Sequence, residues 1–549
     1  MLINPKIHSC KVYLMAIVYQ KDKRSGITYA YESISFWDKE KKQSRSKRTL
    51  LGRVIGEDKS IIPTDGRGRK KKEESISLKK GRLALVQTAR YFYGATYLFN
   101  QIGEQLGITK DLQQCFPKHY QQILSIAYYL ILEDKTPLYR FERWGALHQH
   151  PYGRNISSQR SSELFASITE EAKQSFFRLQ GARRAEQEFW AYDTTSISSY
   201  SECLRQIQYG HSKEDSSLPQ LNLALVFGEE SRLPFYYRVL AGNIPDSKTV
   251  THLLNSLDTL GFSKVKLVMD RGFYSEANIN ALFKEHRKFL MSVRLSLLFV
   301  RTALDEIYAE FRSFERYSEN YDLYYHTVST QWDYTQERPY KKDTLTSTKR
   351  VYLHYYFSLE QAAEDEKAFD RKLLALRQEL LSGNRLPKHE QLYKKYFETT
   401  LTPKRGTKVR GKQEVIEREK RYYGFFALFT NQAMSAVTAL EIYRNKDLVE
   451  KAFGDLKERL NMRRTLVSSE LSLDGKLFVQ FVALIYLSYI KKKMQENNLF
   501  KQYSLQEMLD KLDLIECFHT AGHEPWLGEV LEKQKTIYAN LGFNPPSSL

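Results

Sequence analysis

One segment constrains the fold more than any other: VKLVMDRGFYS joins a short apolar run, an acid and a glycine turn. Residues 265–269 are typical of a buried strand, and residues 271–272 predict the turn that follows it. Ser275 is a suitable N-cap for a helix through residue 283. Strand, acid, turn and helix make one α/β unit, so Asp270 is predicted at the sheet edge where open sheets bind ligands.

Two further acids stand in comparable settings. Asp193 follows the apolar and aromatic residues 189–192, which predict a strand with residues 194–196 as its end or as a turn. A plainer interpretation is that Asp193 caps a helix or fixes a turn. Glu450 lies in the strongly helical segment 443–460. Two acids at strand tips and a third on a helix are typical of enzymes that cleave phosphodiesters with two divalent metal ions.

The helical segment carries an ordered set of polar groups. Tyr443, Glu450 and Lys457 are spaced by seven residues, and Lys446 lies four residues before Glu450. In a regular helix these four side chains form one stripe. A solvated helix with ordinary Lys/Glu pairing has the same spacing, so the pattern alone does not separate a catalytic stripe from a charged surface.

These residues resemble a known family. Tyr443-x2-Lys446-x3-Glu450-x6-Lys457 is similar to the Tyr-x2-Arg-x3-Glu-x6-Lys signature of one branch of bacterial insertion-sequence transposases, which carry an Asp-Asp-Glu triad on an RNase H-like fold. The departure is lysine at position 446, which keeps the charge but loses the bidentate geometry of arginine. The resemblance covers about residues 186–495.

The resemblance implies a mechanism and its residues. Asp193, Asp270 and Glu450 are expected to hold two Mg²⁺ ions, for which Mn²⁺ substitutes, and no other cofactor site is expected. The reaction implied is cleavage of the element's ends and their joining to target DNA, by cut-and-paste through a hairpin intermediate. The partners implied are DNA at the element ends and at the target, and a second copy of the chain in a homodimer. Three residues are expected to contact DNA near the scissile phosphate: Tyr443, Lys446 and Lys457.

An aromatic residue of the implied insertion is also expected at the DNA. In the resembled branch an aromatic ring stacks on a flipped base, and such stacking supplies a few kcal/mol. Trp332 is the candidate, with Tyr334 and Tyr340 as alternatives.

The whole chain is predicted to be an α/β protein. Its RNase H-like mixed sheet is flanked by helices, is interrupted by a mixed α/β insertion, and follows an N-terminal β element and an α-helical DNA-binding domain. The predicted regions are a β element of about three strands (1–60), a basic linker (61–80), a helical DNA-binding or docking domain (81–185), the first part of the catalytic core (186–295), the insertion (296–420), the second part of the core (421–495) and a C-terminal helical region (496–549).

Charge favours a polyanionic partner. Lys and Arg outnumber Asp and Glu by 84 to 65, which gives a formal net charge of +19, and neutralised phosphates contribute a salt-dependent affinity. The four cysteines are scattered without metal-ligand spacing, so neither zinc nor a disulfide framework is indicated. One basic run in the linker is predicted to contact DNA: Arg67, Arg69, Lys70, Lys71 and Lys72.

No secretory signal or membrane span is predicted, so we expect a cytoplasmic bacterial protein that associates with the nucleoid when bound to DNA. A phosphatase that forms an aspartyl-phosphate needs a second Asp two residues after the nucleophile, where this chain has Thr195. The other alternative is a catalytically silent DNA-binding protein derived from a transposase.

Overall fold

The structure is a computed structural model in two compact units, Met1–Val86 and Gln87–Leu549. It describes residues 15–38, 43–56, 59–63, 88–183, 188–201, 204–210, 218–262, 264–338, 340–402, 406–462, 464–465 and 469–549.

The first unit contains a four-stranded antiparallel sheet in the order β1-β2-β3-β4. Its strands are β1 (Met15–Lys21), β2 (Thr28–Asp38), β3 (Gln43–Ile55) and β4 (Ser60–Ile62). The sequence predicts about three strands; the fourth has only three residues, too few to show an alternating pattern. The basic run at residues 67–72 lies outside the described residues.

A helical region opens the second unit. Its elements are β5 (Thr88–Phe92), α1 (Gly94–Gln105), α2 (Ile108–Cys115), α3 (Tyr120–Leu132), α4 (Phe141–Leu147), α5 (Ser158–Ser167) and α6 (Glu170–Ala182). Helices α5 and α6 are separate, because Thr169 caps α6 by accepting a hydrogen bond from the backbone N–H of Ala172. The DNA-binding role of this region stays a prediction.

A mixed sheet forms the centre of the second unit. The elements that build it first are β6 (Phe189–Ser199), β7 (Gln220–Gly228), β8 (Pro234–Ala241), α7 (Asp246–Thr259), β9 (Lys266–Met269), α8 (Glu276–Lys284) and β10 (Lys288–Val293). Strands β8, β7 and β6 pair antiparallel, whereas β6, β9 and β10 pair parallel. This order, β8-β7-β6-β9-β10, is consistent with the predicted RNase H-like fold.

The region between Asp270 and Glu450 enlarges the same sheet. Its elements are α9 (Leu298–Ile307), β11 (Tyr317–Ser318), β12 (Leu323–Arg338), β13 (Asp343–Phe357), α10 (Leu359–Ser382), α11 (Glu390–Tyr396), β14 (Phe397–Thr402), β15 (Gly406–Gly411), α12 (Gln413–Lys420) and β16 (Phe425–Thr430). Strand β16 pairs with both β10 and β13, so the β12–β13 hairpin continues the central sheet. Helices α10 to α12 and strands β14 and β15 enclose a small hydrophobic core of their own.

The chain closes the second unit with helices and three short strands. These elements are α13 (Ala436–Asn445), α14 (Asp447–Gly454), a π-helical turn (Asp455–Arg459), β17 (Arg464–Thr465), α15 (Glu470–Glu496), α16 (Leu505–Asp513), β18 (Glu516–Thr520), β19 (Trp526–Leu527) and α17 (Glu532–Leu541). The C-terminal region is therefore not purely helical, because β18 pairs with β5 and β19 in a three-stranded sheet.

Helix α15 is the central core helix. It is long and apolar enough to cross a membrane by length and composition, with a mean hydropathy of 1.4 in its most apolar window, but 89% of that window is buried inside the protein. A helix that is apolar on all sides is expected where neighbours cover it completely. Gly475 allows α5 to approach α15 closely, since a Cβ there would lie 2.1 Å from the carbonyl oxygen of Phe165 in α5.

Candidate active site

Strand register brings the two aspartates side by side. Tyr192 and Met269 form the last parallel pair of β6 and β9, and Asp193 and Asp270 are the next residues on these strands. Paired strands lie about 4.8 Å apart, so the two carboxylates start from neighbouring positions at one edge of the parallel pairing. The prediction that Asp193 lies at a strand tip is wrong, because β6 continues to Ser199.

Asp193 is held in the middle of its strand. One carboxylate oxygen accepts a hydrogen bond of 2.8 Å from the backbone N–H of Thr194, and the side chain is 14% exposed. Residues 194–196, predicted as a strand end or a turn, are buried residues within the strand. Ser196 donates to Asn222 at 3.1 Å.

Asp270 follows β9 directly and caps a short turn of 3-10 helix. Its Oδ1 accepts hydrogen bonds from the backbone N–H of Arg271 at 2.8 Å and from the Tyr443 hydroxyl at 2.9 Å. Burial by itself would raise the pKa of this carboxyl, but Lys446, the Arg271 N–H and Tyr443 together hold the pKa below its ordinary value. Asp270 is therefore ionised at neutral pH.

Helices α13 and α14 bring the third acid to this edge. Tyr443 lies in the last turn of α13, and Glu450 lies in α14 with 61% of its side chain exposed. Lys446 stands at the junction of the two helices and is only 3% exposed. Its ammonium Nζ is 3.4 Å from Glu450 Oε1 and 4.0 Å from Asp193 Oδ2, so one cation lies among the acids.

The helical segment departs from a regular α-helix at two points. At the junction the backbone N–H of Lys446 donates to the Tyr443 carbonyl three residues back, at 3.1 Å, and the backbone then enters the π-helical turn after Gly454. The helix is wound more tightly than an α-helix at the first point and less tightly at the second. The side chains of Tyr443, Lys446, Glu450 and Lys457 therefore do not form one straight stripe. Lys457 lies in the π-helical turn and is half-buried.

The donor set fits a hard divalent cation in chemistry, since all three acids offer oxygen ligands. Within the described part of the chain, however, no three His, Cys, Asp or Glu side chains lie close enough together to hold a metal ion. The acids are gathered around the Lys446 ammonium instead. In this conformation the Lys446 ammonium faces the carboxylates, and its contact with a DNA phosphate stays a prediction.

The predicted stacking residue is part of the hydrophobic core. Trp332 in β12 is 8% exposed, and its indole N–H donates to Asn280 Oδ1 in α8 at 2.9 Å. The ring packs against Phe299 and Phe429 with centroids 5.8 and 5.7 Å away. The prediction that Trp332 stacks on a base is therefore wrong for this conformation. Of its two alternatives, Tyr334 is also buried and Tyr340, between β12 and β13, is fully exposed.

Two acids that were not predicted as site residues hold elements of the site in place. Asp246, the first residue of α7, accepts a 2.5 Å hydrogen bond from the hydroxyl of Thr194, the neighbour of Asp193. Glu229, after β7, accepts a hydrogen bond from Asn445 at the end of α13, and burial raises the pKa of its carboxyl. The run from Gly242 to Asp246 is a sequence signal for the first of these; no local pattern marks the second.

Comparison with known proteins gives a family match and a distant structural likeness. The model of the transposase DDE domain family matches residues 184–486, more than half of the chain. No curated protein matches. A solved structure with some similarity is the cryo-EM structure of a piggyBac transposase synaptic complex with hairpin DNA, at 10% identity and a TM-score of 0.34, covering 72% of this chain and 70% of that one. The family match spans β6 to α15 and so includes all three acids, and the chain belongs to the family of transposases with a DDE domain.

Proposed function

We propose that this protein is the DNA transposase of a bacterial insertion sequence, which cleaves the ends of its element and joins them to target DNA. The observation that carries the proposal is the register of β6 and β9, which sets Asp193 beside Asp270. Tyr443 adds a direct bond from α13 to Asp270, so the helix that leads to Glu450 is tied to the same site.

The carboxylates of Asp193, Asp270 and Glu450 would hold the metal ions. Two divalent ions, when bound, activate the attacking oxygen and stabilise the leaving oxygen of an in-line displacement. Tyr443 orients the Asp270 carboxylate through its hydroxyl. Lys457, next along the helical segment, would contribute positive charge toward the DNA backbone.

The chemistry would take place as successive displacements at phosphorus. Water attacks a phosphorus at the element end, and the 3′ oxygen leaves as a free 3′-OH. That hydroxyl then attacks the opposite strand, so that one phosphodiester bond forms as another breaks and the element end closes as a hairpin. Opening of the hairpin and attack on target DNA complete a cut-and-paste reaction. We propose a homodimer that pairs the two ends in the cytoplasm, on the nucleoid.

A second candidate function is DNA binding without catalysis. It is favoured by one observation: among the described residues, the acids surround a lysine and are not gathered closely enough to bind a metal. A silent binder would recognise the element ends and leave them uncut with any divalent metal.

One assay separates the two functions. Purified protein is incubated with a supercoiled plasmid that carries the element ends, in Mg²⁺, Mn²⁺ or EDTA, and breaks are mapped at the boundary. We expect metal-dependent breaks for the wild type, none for Glu450→Gln, and wild-type breaks for Glu458→Gln, a nearby exposed acid. End-specific binding without breaks would support the silent binder, and equal cleavage by Glu450→Gln would remove Glu450 from the triad.

A further inference from the structure

Lys446 is an unusual lysine because its charged end lies inside the protein. Only 3% of the side chain is exposed, whereas lysines are almost never buried unless they are paired. Burial of an ammonium is tolerated when nearby carboxylates compensate for its lost hydration. The surroundings of Lys446 therefore indicate what its charge is for.

Those surroundings are the acids of the candidate site. Nζ lies 3.4 Å from Glu450 and 4.0 Å from Asp193, and its charge also lowers the pKa of Asp270. Other polar groups also reach these acids: Asp270 accepts hydrogen bonds from the Arg271 backbone N–H and the Tyr443 hydroxyl, and Asp193 accepts one from the Thr194 backbone N–H. One ammonium thus interacts with all three carboxylates.

A cluster of three carboxylates requires positive charge. Ionised carboxylates around one site repel one another, and an opposite charge within a few ångströms of them relieves that repulsion. A divalent ion supplies this charge in a metal-bound site, but here the lysine supplies it. Because an ammonium and a metal ion would draw on the same carboxylate oxygens, they compete.

We propose that Lys446 is the built-in counter-cation of the acid triad, and that a metal ion enters by displacing its ammonium from between Asp193 and Glu450. The inference rests on the proposed function, which identifies the triad as the metal site. Lys446 is both the C-terminal cap residue of α13 and the N-terminal cap residue of α14, so it lies at the junction of the two helices. The displaced ammonium becomes a free positive charge beside the metal, where a DNA phosphate is its natural partner.

Metal binding without DNA tests the competition directly. The Kd of Mn²⁺ is measured from the electron paramagnetic resonance signal of the free ion, for the wild type and for variants that circular dichroism shows to be folded. We expect Lys446→Met to bind Mn²⁺ at least tenfold more tightly than the wild type. Lys446→Arg, which keeps the charge, and Lys451→Met, which removes an exposed lysine beside Glu450, should stay within threefold. Unchanged or weaker binding by Lys446→Met would overturn the inference.

A second measurement uses the wild type and needs no variant to fold. Lysines are acetylated briefly with a water-soluble acylating reagent, and modification of Lys446 is followed by mass spectrometry. We expect Lys446 to be protected in EDTA and to become several-fold more reactive at saturating Mn²⁺ or Ca²⁺, while Lys451 reacts equally in both. Protection that persists when the metal is bound would show that the ammonium is not displaced.

The same measurements distinguish failure of this inference from failure of the proposed function. If Glu450→Gln binds Mn²⁺ with the same Kd as the wild type, the acids are not the metal site and both proposals fail. If binding needs Glu450 but is indifferent to Lys446→Met, the metal site stands and the role of Lys446 as counter-cation fails alone.

Discussion

Replacement of Trp332 by alanine should destabilise the protein, not specifically its DNA complex. Indole rings bury about 150–250 Å², and loss of a core Trp costs about 3–5 kcal/mol. The hydrogen bond to Asn280 accounts for about 0.5–1.5 kcal/mol of that loss. Because Trp332 is 8% exposed and not completely enclosed, we expect about 3–4 kcal/mol for Trp332→Ala. Trp332→Phe, which keeps most of the packing, should lose about 1–2 kcal/mol.

Urea unfolding followed by circular dichroism measures these losses, provided that the slope of free energy against urea is unchanged. Tyr340→Ala is the matched control, since the ring is fully exposed and surface changes usually stay within about 0.5 kcal/mol. Cleavage assays well below each transition then separate stability from DNA contact. If Trp332→Ala unfolds at the wild-type urea concentration and yet loses hairpin formation, the ring serves DNA and the packing argument is wrong.

Two further predictions concern packing and pH. Gly475→Ala should lower the free energy of unfolding by about 1–3 kcal/mol through overpacking, because the added Cβ meets the Phe165 backbone. Gly454→Ala is the control: its Cβ has open space in a helix, so the free energy of unfolding should rise by about 0.5–1 kcal/mol. Equal urea midpoints for the two variants would contradict the contact with Phe165. Burial lowers the pKa of His150 and of His354 from 6.5 to about 4. The unfolded chain therefore takes up these protons first as the pH falls below 6.5, and each histidine should cost about 2 kcal/mol of stability at pH 5. His354→Gln should flatten the fall of the unfolding midpoint between pH 7 and 5, and an unchanged fall would exclude His354 as a cause.

Local signals predicted one part of the site well. The run that ends at Asp270 forms β9, and Ser275 caps α8 by accepting a hydrogen bond from the backbone N–H of Asn278, as its sequence indicates. Such features depend on a few adjacent residues. For this reason composition and spacing suffice to locate them.

Features that depend on contacts between residues far apart in the chain could not be predicted from the sequence. Thr194 and Ser196 resemble turn residues, but Asp246 and Asn222 satisfy their hydroxyls and let β6 continue. Spacing places Lys446 on a helical stripe without giving its depth, and burial against Asp193 follows only from the packed sheet. The pairing of β13 with β16 likewise joins segments that have no common local pattern.

The order of strands in the central sheet also affects how the protein folds during synthesis. Strand β10 is buried and apolar, and one of its two edges is covered by β16. When β10 leaves the ribosome, roughly 130 residues must still be made before β16 arrives, which at roughly 5–20 residues per second takes on the order of ten seconds. During that time an apolar strand edge is open to pairing with other chains. Chaperone demand should therefore be concentrated in this interval, and a ribosome stall within the β12–β13 hairpin should promote aggregation more than one after β16.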